Sequence, residues 1–347
     1  MAKTLYLHIG MPKCASTTIQ DALKQHAAVF AAHGRFYGFA TTAKGEGRGN
    51  ATDMLEDLRN GCDAKVEQAL SFFLDRDSDV ILSSEMFISL GLGAWTKILL
   101  ARATAAGFDI RIICYLRRQD EWIESDYKQH IKAGSEWCGD IEALIAHRAT
   151  ARVLDYSWLL ENWARYVARD KITVVPLRRS QGDIHAIERF LTFVDMDPTL
   201  AHGLATGRRN VSPAVGLVEP MRFLKAALLA EGVLPRDTPG PLKYFLSEAP
   251  GYVTVPQRRF LLSYEQRCAL LERYASANAR LSERYLDGAA AFDTALEPDC
   301  AAQTSLVEEA AEILAACFVA KSMPSKIDAP RAIPRLRHWW PWRRSGL

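Results

Sequence analysis

The chain is predicted to be an α/β protein of three layers. A central parallel sheet lies between helices, and more helices are added in the C-terminal half. Three observations carry this. The N-terminus reads strand, tight loop, helix: the β-rich Thr4-Leu5-Tyr6-Leu7, then His8 to Gln20, then Ile19, Leu23, Ala27 and Phe30 at helical spacing. Val80, Ile81 and Leu82 form an unbroken apolar run, as expected of a strand buried on both faces. Further β-rich runs, Ile110 to Leu116 and Lys171 to Pro176, each lead into a segment of helical periodicity.

The first junction organises the rest. A helix start aims unpaired N–H groups and a partial positive charge at the loop before it, so an anion is favoured there. Within His8 to Gln20, Ser16, Thr17 and Thr18 offer hydroxyls and Lys13 offers an ammonium. The nucleoside-triphosphate loop ends Gly-Lys-Ser/Thr. Here Lys13 stands three residues before Ser16, with no Gly-x-x-x-x-Gly frame, so that loop is absent.

The following segments come in order. Phe36 to Asp53 is rich in Gly, Thr and small residues and is expected to be a long loop on the substrate side. Asp63 to Leu74 is a short amphipathic helix. Glu85 follows the run Asp79 to Ser83, at the strand end where open α/β sheets bind ligands. It is the candidate general base, with His8 and His130 as alternatives. Arg117 closes the run Ile110 to Leu116. Ile123, Tyr127 and Ile131 then mark a helix, with Ser125 two turns into it. A planar guanidinium at such a strand end can meet two phosphate oxygens at once.

Pro-Lys-x-x-Ser-Thr, followed by Arg at a strand end and Ser eight positions later, resembles the sulfotransferases that use 3′-phosphoadenosine 5′-phosphosulfate (PAPS), in particular bacterial carbohydrate-type members. The likeness runs to about Tyr285. Two departures stand out: Ala15 where glycine is commonest, and Gln119 where proline often follows the arginine. The resemblance implies a P-loop-like three-layer fold and transfer of a sulfuryl group to an acceptor hydroxyl or amine of a carbohydrate, glycolipid or other lipid. It implies that Lys13, Ser16, Thr17 and Thr18 hold the 5′-phosphosulfate, and that Arg117 and Ser125 hold the 3′-phosphate. Catalysis would fall to Lys13, Glu85 and Ser125, the serine also holding the lysine back, with no metal. A kinase is disfavoured by the missing Gly-Lys-Ser/Thr frame. A nucleotide binder without transfer activity is disfavoured by the presence of Lys13, Glu85, Arg117 and Ser125.

Composition agrees with a globular chain: 347 residues, 49% hydrophobic and 24% charged. A net charge of +2 gives no footing for bulk nucleic-acid binding. Seven cysteines without CxxC spacing suit free thiols in a reducing compartment. Without an apolar run long enough to span a bilayer, or a leader before the first strand, the expected location is cytoplasmic.

The expected organisation is a catalytic domain over 1–295, a packed helix over 296–323 and a tail over 324–347. Asp155 to Arg169 and Tyr264 to Tyr285 are helical. Gly232 to Gln257, broken by Pro and Gly, interrupts helices and is a candidate lid. Ser305 to Glu308 has the form of a capping box. The tail carries six basic residues, one acid and Trp339, Trp340 and Trp342. That composition suits peripheral contact with anionic membrane.

Overall fold

The computed structural model describes residues 3–40, 49–90, 93–178, 181–205, 213–251, 259–297 and 306–322. Five strands form one parallel sheet: β1 (Lys3–His8), β2 (Arg35–Phe36), β3 (Asp79–Ser83), β4 (Phe108–Arg117) and β5 (Ile172–Leu177). Their spatial order is β2-β3-β1-β4-β5. Leu5 pairs with Val80 on one side and with Ile110 on the other, so the first strand is the centre of the sheet. Leu5, Leu7, Val80, Ile81, Leu82 and Ile112 to Leu116 are fully buried. That is the pattern of a parallel sheet covered on both faces.

The helices connect and cover these strands. α1 (Ser16–Gln25) and α2 (Ala27–Ala32) follow β1; α3 (Thr52–Arg59) and α4 (Asp63–Leu74) follow β2; α5 (Phe87–Leu90) and α6 (Ala94–Ala105) follow β3. α7 (Gln119–Lys132), α8 (Ile141–Thr150) and α9 (Tyr156–Trp163) lie between β4 and β5. After β5 come α10 (Asp183–Phe193), α11 (Ala201–Leu204), α12 (Val218–Ala230), α13 (Pro239–Glu248), α14 (Tyr264–Tyr285) and α15 (Leu306–Ser322). The α/β architecture with a parallel central sheet and helical additions is as the sequence predicts. Among the described residues, no helix is long and apolar enough to cross a membrane.

Several elements differ from expectation. The helix expected from Ile19 through Phe30 breaks at His26, whose φ of −117° and ψ of 27° are not helical. Its apolar spacing survives because α2 turns Phe30 back into the core. The helix expected to reach Arg169 stops at Trp163. Gly232 to Gln257 contains a helix of its own: α13 begins at Pro239, where the missing N–H costs nothing. α13 packs on α12 and α7.

α14 has the expected bounds and carries a capping box that periodicity did not reveal. Ser263 Oγ accepts from Gln266 N at 3.2 Å, and Gln266 Oε1 accepts from Ser263 N at 2.8 Å. In α15, Ala310 and Ile313 are buried against α12, but Phe318, expected on the same face, is 72% exposed. The cap at Ser305 and the tail from Pro324 lie outside the described residues.

The stretch expected to be one long loop, Phe36 to Asp53, is stitched at its far end to β3. Asn50 is buried. Its Nδ2 donates to Ile81 O at 2.9 Å and to Gly38 O at 3.0 Å, and its Oδ1 accepts from Ser83 N at 2.8 Å. One side chain therefore supplies an extra partner to the edge of a strand that leads directly to Glu85. The part of this loop from 41 to 48 lies outside the described residues.

Candidate active site

The site lies at the carboxyl ends of β1, β4 and β3, where the sheet order reverses around the central strand. The β1 ladder continues past the strand: Ile9 N donates to Ile113 O at 3.0 Å, and Ser84 N donates to His8 O at 3.2 Å. The loop is clamped from α7 by Trp122, whose Nε1 donates to Pro12 O at 2.7 Å. It curls tightly, with Lys13 at φ 65° and Ala15 at φ 60°. Both lie in the left-handed region, which costs a non-glycine residue roughly 1–2 kcal/mol. Ala15 thus adopts the conformation that glycine favours, and bears the strain.

Ala15 is also the residue before α1, and it has no side-chain oxygen to cap the helix. The first turn contains no acidic residue. The opening N–H groups and the positive end of the helix dipole therefore stay available to an anion. Thr17 is exposed there, and its hydroxyl makes no hydrogen bond among the described residues. Thr18 differs: its hydroxyl donates to Asp183 Oδ1 on α10 at 3.2 Å, which ties α1 to its neighbour. Ser16 is buried, and its Oγ donates to Met11 O at 3.2 Å.

Glu85 stands two residues beyond β3. Burial raises its pKa; the Ser16 hydroxyl and the Lys13 charge oppose the rise. A raised carboxylate pKa is what a general base working near neutrality needs. Lys13 is shifted the other way: burial lowers its pKa, with Lys132 and Arg117 adding to the effect and Glu85 and Asp126 opposing it. Lys13, Glu85, Ser16 and Arg117 thus share one electrostatic neighbourhood.

The two adjacent arginines separate cleanly. Arg118 is consumed by structure. Its Nε and Nη2 fork onto Asp120 at 2.7 and 3.0 Å, and its Nη1 donates to the Asp293 and Ala295 carbonyls. The guanidinium of Arg117, at the last position of β4, makes no hydrogen bond or ion pair among the described residues. Its carbonyl accepts from Tyr156 Oη at 2.8 Å, so the backbone is held while the charge is free. Ser125 sits half-buried in α7, and its hydroxyl is likewise without a bond among the described residues.

The two histidines are otherwise engaged. His130 Nε2 faces Arg148 Nη2 at 2.7 Å and so acts as an acceptor; burial lowers its pKa. His8 is buried, with Nδ1 2.8 Å from Ser83 Oγ. Gln20 Nε2 donates to the same oxygen at 3.1 Å. The serine oxygen can accept from both neighbours or give its own proton to Nδ1, and His8 Nε2 is buried without a hydrogen-bond partner among the described residues. Both histidines thus spend a ring nitrogen on a neighbouring side chain.

Burial pushes the His8 pKa down to about 3. Between pH 6.5 and 3 the unfolded chain therefore binds a proton that the folded chain does not. His8 then contributes stability that is full above pH 6.5 and is lost as the pH falls, by up to about 1.4 kcal/mol per pH unit. Urea unfolding of wild type and His8→Gln should show a wild-type advantage that shrinks from pH 7 to pH 4. A difference independent of pH would show that His8 is not held neutral.

Sequence reasoning missed Gln129, whose Oε1 accepts from Lys13 Nζ at 3.2 Å. Its only sequence signal was its place one helical turn after Ser125. Asn50 and Trp122 were missed for the same reason: each acts on backbone far away in sequence. Among the described residues, no group of three or more His, Cys, Asp or Glu side chains could hold a metal ion.

No family model matches the chain. It is 25% identical over 222 residues to an uncharacterized protein of Archaeoglobus fulgidus, a match covering 59% of this chain and 53% of that protein. The chain thus spans about half the length of the curated relative it matches. The likeness carries no activity with it, and the functional reading rests on the geometry at the ends of β1, β3 and β4.

Proposed function

We propose that the chain is a PAPS-dependent sulfotransferase whose acceptor is a hydroxyl or amine of a carbohydrate, glycolipid or other lipid. The observation that carries this reading is the convergence, at one end of the sheet, of an uncapped helix start preceded by Lys13, a carboxylate of raised pKa at Glu85, and an arginine, Arg117, unpaired among the described residues. When bound, PAPS supplies an SO₃ group on a phosphate leaving group.

The residues divide the work as follows. The N–H groups of α1, with the hydroxyls of Ser16 and Thr17, bind the 5′-phosphate. Thr18, occupied by Asp183, supports the loop from behind. Arg117 and Ser125 bind the 3′-phosphate. Glu85 takes the proton of the acceptor as its oxygen or nitrogen bonds to sulfur. Lys13 stabilises the negative charge that grows on the bridging oxygen as the sulfur–oxygen bond breaks.

Two measurements test the reading. Transfer of labelled sulfate from PAPS to an extract of candidate acceptors separates an enzyme from a mere binder. Calorimetry with 3′-phosphoadenosine 5′-phosphate against ATP separates a sulfotransferase from a kinase: tighter binding of ATP would defeat the proposal. In the same instrument, Arg117→Ala should weaken binding of the bisphosphate by about 1.5–3 kcal/mol, the worth of a charged hydrogen bond. Adenosine 5′-phosphosulfate, which lacks the 3′-phosphate, should bind variant and wild type alike. A variant that still discriminates the two nucleotides as wild type does would remove Arg117 from the 3′-phosphate site.

A further inference from the structure

Lys13 rests in an unusual place for a cation. Its side chain is partly buried, and its pKa is lowered chiefly by that burial. Glu85 and Asp126 both act on its charge, yet neither forms an ion pair with it within 4 Å among the described residues. Asp126 is instead bound by Arg148 Nε at 2.8 Å. The side-chain bond that Lys13 does make is to a neutral amide, Gln129 Oε1 at 3.2 Å.

The chemistry of that partner matters. A carboxylate at position 129 would bind the ammonium firmly and cancel the charge needed at the reacting centre. An apolar residue would leave the ammonium unpartnered in a half-buried cleft and favour loss of its proton. An amide oxygen keeps the lysine charged and ordered, and it is a weaker competitor than a charged acceptor.

We propose that Gln129 is the resting partner of Lys13: it holds the ammonium against α7 and gives it up when a nucleotide occupies the loop. This rests on the sulfotransferase reading above and changes one part of it. The holding role that the resemblance assigned to Ser125 passes to Gln129, one helical turn further along α7. Ser125, free of bonds among the described residues, is left for the 3′-phosphate. Gln129 is a positioning residue, acting on the reaction only through Lys13.

The test reads the pKa of Lys13, by NMR of selectively labelled lysine with Lys13→Arg to assign the signal. Three proteins are compared: wild type, Gln129→Glu and Gln129→Leu. Without nucleotide, Gln129→Glu should raise the proton affinity of Lys13, and Gln129→Leu should lower it, each by about tenfold. Saturating 3′-phosphoadenosine 5′-phosphate should bring wild type and Gln129→Leu together, because the lysine has then left position 129 in both. A purely structural glutamine would not produce that ordered pair of shifts. Equal Lys13 pKa values in the three proteins would overturn the holding role. The expected order without nucleotide, kept unchanged when the bisphosphate binds, would overturn the release step. A wild type that binds no bisphosphate at all would defeat the sulfotransferase reading and the release step with it, while the order of pKa values would still decide whether Gln129 holds Lys13.

Discussion

Replacing Lys13 by alanine is expected to lower sulfuryl transfer by about 10²–10³-fold, the usual cost of removing a group aimed at developing charge. The loss should fall on turnover in a single-turnover assay. The folded state should be nearly unaffected, since Lys13 is only partly buried and its one side-chain bond among the described residues is to Gln129. Alanine also tolerates the backbone it inherits no worse than lysine does: φ at position 13 is 65°, and neighbouring Ala15 adopts φ 60°. Circular dichroism and urea midpoints should therefore match wild type while activity collapses. Turnover within about threefold of wild type would remove Lys13 from the reaction.

Gly49→Ala should be the most destabilising of the small substitutions near the site. A Cβ at position 49 would stand 2.0 Å from the carbonyl oxygen of Ser83 and 2.7 Å from Gln20 Nε2. The first of these is backbone in a buried strand, which cannot step aside as a side-chain tip can. The segment would have to lift, and with it Asn50 and its three hydrogen bonds to Gly38, Ile81 and Ser83. Overpacking together with stranded buried polar groups should cost about 3 kcal/mol or more. Urea unfolding measures it, and a change below about 0.5 kcal/mol would show that the segment is not seated on β3. Because Glu85 stands just beyond Ser83, the variant should also lose activity, unlike Lys13→Ala, together with its stability.

The parts of the site that could be read from sequence share a property. Lys13, Glu85 and Arg117 each follow a short apolar run, and in a parallel sheet the carboxyl end of such a run is a fixed address. The face marked by Ile123, Tyr127 and Ile131 was equally legible, and all three are fully buried. What escaped depends on partners far away in the chain. Both Arg117 and Arg118 stand close to Asp120 in sequence; Arg118 is the one that takes it, together with the distant Asp293 and Ala295 carbonyls. Asn50 reads as a loop residue until Ile81 and Ser83 are beside it. The break at His26 and the stop at Trp163 were invisible because the apolar spacing continues through the first and nearly through the second. Ala15 is the instructive middle case: the residue disfavours a left-handed backbone, and the fold imposes one.

The position of β1 at the centre of the sheet has a consequence for how the protein is made. β1 leaves the ribosome before either of the strands that flank it. Its partner residues in β3 come 75 positions later, and those in β4 roughly a hundred. At about 5–20 residues per second, the apolar Leu5-Tyr6-Leu7 waits several seconds before either side is covered. The loop after β1, which takes its shape from the ladders on both sides, cannot close before then. A nascent chain halted before β4 should thus be a client for a chaperone that shields extended apolar segments. Competence to bind nucleotide should appear late in synthesis, only after the stretch ending at α7 has emerged.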